Sequence, residues 1–230
     1  MVLPLYDEPA RKRVSQPYVT WGLVILNVVV FFVEWTAPGG TGSTTALRAF
    51  GFTPAMLAGD VPNTAALPAL LTPLTDMFVH LGWGHLLGNM LFLMIFGDNV
   101  EDALGHLRYL AFYVTCSFAS DAAYFLSSMH STVPAVGASG AISGVVAAYV
   151  MIRPCAKVEV LIGIIPLAVS AYWVVGLFAL TQVWSVMANT QDGIAYWAHI
   201  GGMIAGACLL PLMRHRDVVL FECVRAADAT

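Results

Sequence analysis

The chain has 230 residues, of which 59% are hydrophobic and 10% charged, with a formal net charge of −4. An ordinary soluble domain carries roughly 45–50% apolar and about 25% charged residues, so a soluble fold around one small core is excluded. No basic stripe offers a nucleic-acid footprint, and the four cysteines (Cys116, Cys155, Cys208, Cys223) lack paired spacing and read as free thiols, neither disulfide-bonded nor zinc-bound.

In chain order, residues 1–17 read as a short tail, 18–213 as one membrane domain and 214–230 as a second tail. Apolar stretches near the roughly 20 residues that cross a bilayer predict six spans, at about 18–37, 81–99, 107–128, 136–153, 159–186 and 194–213. The first follows Arg11, Lys12 and Arg13 but exceeds the about 7–15 apolar residues of a signal peptide, so it is read as an uncleaved helix. The long connection 38–80 mixes apolar pieces (LPALL, FTPAML) with Gly, Thr and Pro, which suits the membrane interface. The fold class expected is an all-α membrane protein of six transmembrane helices with a long interfacial first loop.

Charge sets the orientation. With six spans both termini share a side, and that side collects Arg11, Lys12, Arg13, Arg108, Arg153, Lys157, Arg214, Arg216 and Arg225, leaving only Arg48 opposite. The positive-inside rule places both termini in the cytoplasm.

Polar residues inside a membrane are expensive and tend to mark function. The second span opens with HLGWGHLLGNM, which sets His85 and Asn89 one helical turn apart on one face. The fourth begins VGASGAISG, with Ser139 between Gly137 and Gly140, and the sixth begins YWAHIGGMIAG, with His199. All three spans run from outside to inside, so these residues share a shallow depth. Gly140, Gly144 and Ala148, and likewise Ala198, Gly202 and Gly206, form stripes of small residues that let membrane helices approach closely. Close approach of these two helices would bring a serine hydroxyl to an imidazole able to take its proton. Asn89, His85 and backbone N–H groups near Ser139 are then candidate donors to an oxyanion. No carboxylate occupies an orienting position, since Asp192 falls in a solvated loop; a Ser139–His199 dyad is expected. Asp121, in the third span, has no assigned role.

Three motifs carry a resemblance. The stretch LLTPLTDMFVHLGWGHLLGNMLFLMIFGDNVEDALGHLRYLAFY, then GASGAISG, then AHIGGMIAG, resembles the rhomboid intramembrane serine proteases over about residues 70–210. The resemblance implies a six-helix core entered laterally from the bilayer. By position it makes Ser139 the nucleophile, His199 the base, and His85 and Asn89 oxyanion contributors, with Gly137 and Gly140 beside the substrate. Glu101, Gly105 and Arg108 match a family motif read as structural. Some members carry an aromatic ring four residues after the nucleophile; here that residue is Ser143, which leaves open what holds His199. The implied partners are single-span membrane proteins and the lipid bilayer, with no cofactor and no metal, in a multi-pass protein of a prokaryotic plasma membrane. A catalytically inactive binding module of the same family, or a small transporter, are the competing readings.

Overall fold

The structure is a computed structural model that describes residues 2–7, 13–162, 165–190 and 192–223. Arg11, Lys12 and Arg225, used above for orientation, lie outside the described residues. The chain is mostly helical. A strand β1 (Val2–Asp7) precedes α1 (Tyr18–Thr36); the first loop holds α2 (Thr44–Phe50), α3 (Pro54–Ala58) and two 3₁₀ turns (Ala69–Leu74 and Asp76–Phe78). Then come α4 (Trp83–Leu104), α5 (His106–Ser127), α6 (Ser139–Ile152), a hairpin of β2 (Lys157–Ile162) and β3 (Ile165–Ser170), α7 (Ala171–Met187) and α8 (Tyr196–Met213).

Helices α1, α4, α5, α6, α7 and α8 overlap the six stretches read as spans. Among the described residues, α1 and α8 are each long and apolar enough to cross a membrane alone, and the turns at Ala69–Phe78 with α4 make a third candidate, bent by 87°. Helices α6 and α7 are apolar but shorter. Large apolar side chains point outward along α1 (Ile25, Val29, Val33) and α7 (Trp173, Leu177, Leu180, Trp184). A contiguous apolar exterior of this extent needs a lipid environment.

The fifth span needs correction. Residues 159–162 and 165–170, placed within it, are strand instead, and the helix starts at Ala171. Hydropathy alone merged two periods. Lys157-Val158-Glu159-Val160 alternates, with Val158 and Val160 buried and Lys157 and Glu159 exposed, the two-residue period of a strand. Pro166 would also break a helix interior. β2 pairs antiparallel with both β3 and β1, so the N-terminal segment read as a tail contributes an edge strand to a three-stranded sheet.

The cysteine reading is also corrected. Cys155 and Cys223 form a disulfide with their Cα atoms 5.3 Å apart, while Cys116 and Cys208 are free. A separation of 68 residues hides such a pair from any reading of local spacing. The bond ties the C-terminal segment to the turn after α6, at the end of that helix remote from Ser139.

The core centres on α6, which packs against α4, α5 and α8 and buries Ile142, Val145, Val146 and Tyr149. Its meeting with α8 is backbone against backbone: a β-carbon on Gly202 would collide with the Gly140 carbonyl, and one on Gly206 with Gly144. The two small-residue stripes therefore face each other. Glu101, fully buried near the end of α4, accepts from the Val19 and Thr20 N–H groups at 2.9 and 2.8 Å and from Thr20 Oγ1 at 2.7 Å. It caps α1, whose own N-cap, Pro17, makes no side-chain cap, and it also pairs with His106 at 2.6 Å. Arg108 Nη1 donates to the Met213 carbonyl at 3.3 Å. The Glu101–Arg108 motif thus ties together the ends of α1, α4, α5 and α8 on the side of the chain termini.

Candidate active site

Ser139 is the first residue of α6, so its position is set by what holds the segment before that helix. Phe52 and Ala135 exchange both backbone hydrogen bonds, at 3.0 and 2.8 Å, and the Ala55 N–H donates to the Ser131 carbonyl at 3.0 Å. The Gly137 N–H donates to the Asp76 carbonyl at 2.8 Å. The long first loop is thereby stitched to residues 131–137. Gly137 has φ of 108°, a conformation open to glycine and strained for other residues.

Helix α6 has 14 residues and so measures about 21 Å, against a hydrocarbon thickness of about 30 Å. The helix is shorter than the neighbours it packs between, α4, α5 and α8. Its first N–H groups have no intrahelical acceptor, and its first two residues, Ser139 and Gly140, line a cleft of about 720 Å³ together with His85, Gly137 and His199.

Facing backbones bring the side chains of Ser139 and His199 together. His199 Nε2 lies 2.8 Å from Ser139 Oγ, across the glycine contact of α6 and α8. On the other side of the ring, His199 Nδ1 lies 2.7 Å from Gln182 Oε1 of α7. Phe178 flanks the imidazole at a centroid distance of 6.2 Å and Tyr196 at 6.5 Å. Ser143 Oγ donates to the Ser139 carbonyl at 2.7 Å, so it braces α6 and leaves the imidazole to α7. Asp192 is turned away from the ring: it accepts from the Tyr196 hydroxyl at 2.5 Å and from the Ile194 N–H at 3.2 Å.

His85 and Asn89 converge on Gly137. A β-carbon built on that glycine would stand 2.7 Å from His85 Nε2 and 3.4 Å from Asn89 Nδ2. The Leu81 N–H lies 3.5 Å from His85 Nδ1, which makes Nδ1 the acceptor and leaves Nε2 as the N–H donor. Asn89 Nδ2 is buried with no hydrogen-bond partner. A buried amide N–H₂ left unpaired costs free energy, and this one points to the space two residues before Ser139. His80 precedes α4, which begins at Trp83, and its ring lies 5.0 Å from that of His85.

Sequence reasoning missed two participants. Gln182 is the sole amide in the apolar run 159–186, a signal that was available in the sequence. Asp76, in the first loop, lines the same cleft as Asp121, and the two buried carboxyl groups meet there in a side-chain hydrogen bond. The loop fold that brings Asp76 to the α5 face carrying Asp121 has no local sequence signature.

Comparison with known proteins agrees with this architecture. A family model described as Rhomboid domain matches residues 69–216. The chain is 32% identical over 137 residues to a protein of Bacillus subtilis (strain 168) named Rhomboid protease GluP, covering 60% of this chain and 25% of that protein. It is 29% identical over 226 residues to RHOMBOID-like protein 6, mitochondrial, of Arabidopsis thaliana, covering 84% of this chain and 67% of the relative. A third relative, Rhomboid-like protein 11, chloroplastic, from the same plant, is 34% identical over 86 residues, 37% of this chain and 30% of its own length. The chain spans about a quarter of the length of the Bacillus relative. With the family model covering well over half of its residues, this chain belongs to the rhomboid family.

Proposed function

We propose that the chain is an intramembrane serine endopeptidase that cuts single-span membrane proteins near the outer boundary of the bilayer. The observation that carries the reading is the 2.8 Å contact between Ser139 Oγ and His199 Nε2 at the start of α6, beside two side-chain donors converging on Gly137. Ser139 Oγ attacks the scissile carbonyl carbon while His199 Nε2 takes its proton. The oxyanion is held by Asn89 Nδ2, His85 Nε2 and N–H groups at the start of α6. His199 then gives the proton to the departing amine, and a water molecule, activated by the same imidazole, releases the acyl group. Helices α1, α4, α5, α6, α7 and α8 form the six spans. Both termini lie in the cytoplasm of a prokaryotic plasma membrane, and a substrate helix enters sideways from the lipid.

A test is to incubate the purified protein with single-span substrates in detergent or vesicles and map the cut by mass spectrometry. The expected bond lies near the outer boundary, and small or helix-weakening residues near it speed the reaction, because a helical peptide bond must be unwound before Ser139 can reach it. A cut at the cytoplasmic end would contradict the proposed topology. Binding of the substrate without any cleavage would favour an inactive binding module.

The pH dependence has a defined sign. His199 accepts the serine proton only when neutral, so the rate should fall as the medium is acidified far enough to protonate it. A rate that rises steadily on acidification from about pH 8 to pH 4 would assign the proton transfer to another group.

A further inference from the structure

We infer that Gln182 is the positioning residue for the base, so that the site operates as a Ser139–His199–Gln182 triad with an orienting amide in the third place. The inference rests on the protease reading above for its catalytic consequence, and on hydrogen bonds alone for its geometry.

The amide can be oriented in only one way. Gln182 Nε2 lies 3.3 Å from the Phe178 carbonyl, which can only accept a hydrogen bond. It also lies 3.2 Å from Thr181 Oγ1, whose own proton is directed to the Phe178 carbonyl at 2.6 Å, leaving that oxygen as an acceptor. Both neighbours demand N–H donors, so the N–H₂ group faces them and Oε1 faces the imidazole at 2.7 Å. An amide oxygen cannot donate. His199 Nδ1 must therefore carry the proton, and Nε2 presents its bare lone pair to Ser139 at 2.8 Å. That is the tautomer a general base requires.

Nothing else among the described residues takes this part. Asp192 is turned to Tyr196 and Ile194, and the rings of Phe178 and Tyr196 fix the plane of the imidazole without accepting from it. The location of the glutamine is telling. Most of α7 faces outward, and only Ala171, Val175 and Gln182 are buried along it. A polar amide costs free energy in an apolar helix, and this one is spent at the base.

The role predicts a signature that a packing residue would not give. In Gln182→Ala, kcat should fall by about 10–10³-fold, toward the loss seen when an imidazole is left in the wrong tautomer, while KM stays within about threefold. Gln182→Glu keeps an acceptor at Nδ1 and should recover most of the rate. In protein labelled with ¹⁵N-histidine, the His199 signals should report Nδ1–H and bare Nε2 in the wild type and in Gln182→Glu, and a tautomer mixture in Gln182→Ala. The proposal is overturned if Gln182→Ala retains the wild-type tautomer. It is overturned equally if kcat, KM and thermal stability deteriorate together without rescue by glutamate. The protease reading fails separately: a wild type that cleaves no substrate, yet shows a Gln182-dependent Nδ1–H tautomer, keeps the positioning role and loses the reaction.

Discussion

Replacing Ser139 or His199 by alanine is expected to lower cleavage by at least about 10³-fold, and the double variant should be scarcely worse than either single one. Groups that act as one catalytic unit lose activity together, because neither the hydroxyl nor the imidazole contributes without its partner. Their side chains are only half-buried at the head of a cleft, so removing either leaves no large void in the core. The variants should therefore purify as folded protein, and melting curves beside the rates distinguish lost chemistry from lost structure. Additive losses, or full activity in Ser139→Ala, would assign cleavage to another group.

Asn89→Ala should lower kcat by about 10–10³-fold, the range expected for one oxyanion donor. The buried Nδ2 has no partner in the free protein and stands next to His85 Nε2 over Gly137. Its bond to the oxyanion forms fully only in the transition state, so KM should change much less than kcat. Removing the side chain also relieves an unpaired donor, and the variant should be no less heat-stable than the parent. A large rise in KM with kcat preserved would instead make Asn89 a ground-state contact to the substrate. Single-turnover rates on one fluorogenic single-span substrate separate these outcomes.

How far the sequence revealed this arrangement depends on range. The contact between α6 and α8 was legible because glycine at every fourth position marks a close helix approach, and that approach carries Ser139 to His199. The turn between His85 and Asn89 was legible for the same local reason. The strands at 157–162 and 165–170 were hidden because apolar content exceeds the membrane threshold whether its period is two or 3.6 residues. Alternation in KVEVLI and the proline at 166 held the information, and averaged hydropathy discarded it. The lone amide at 182 was visible in its apolar run, but the partners of Gln182, 17 residues away, and of Cys155, 68 residues away, are reached through tertiary folding, and no local pattern pairs them. Among the described residues the group at His199 Nδ1 is not a carboxylate but the Gln182 amide of the neighbouring helix.

The most direct measurement of the central claim is to treat the wild type and the His199→Ala variant with a serine-directed phosphonate, locate the adduct by peptide mass spectrometry, and follow activity in the same samples. Ser139, activated by the imidazole 2.8 Å away, should carry the adduct in step with the loss of cleavage, and His199→Ala should label far more slowly. A fully active protein with Ser139 modified, or a protein inhibited by chelators and restored by added zinc, would contradict the serine mechanism.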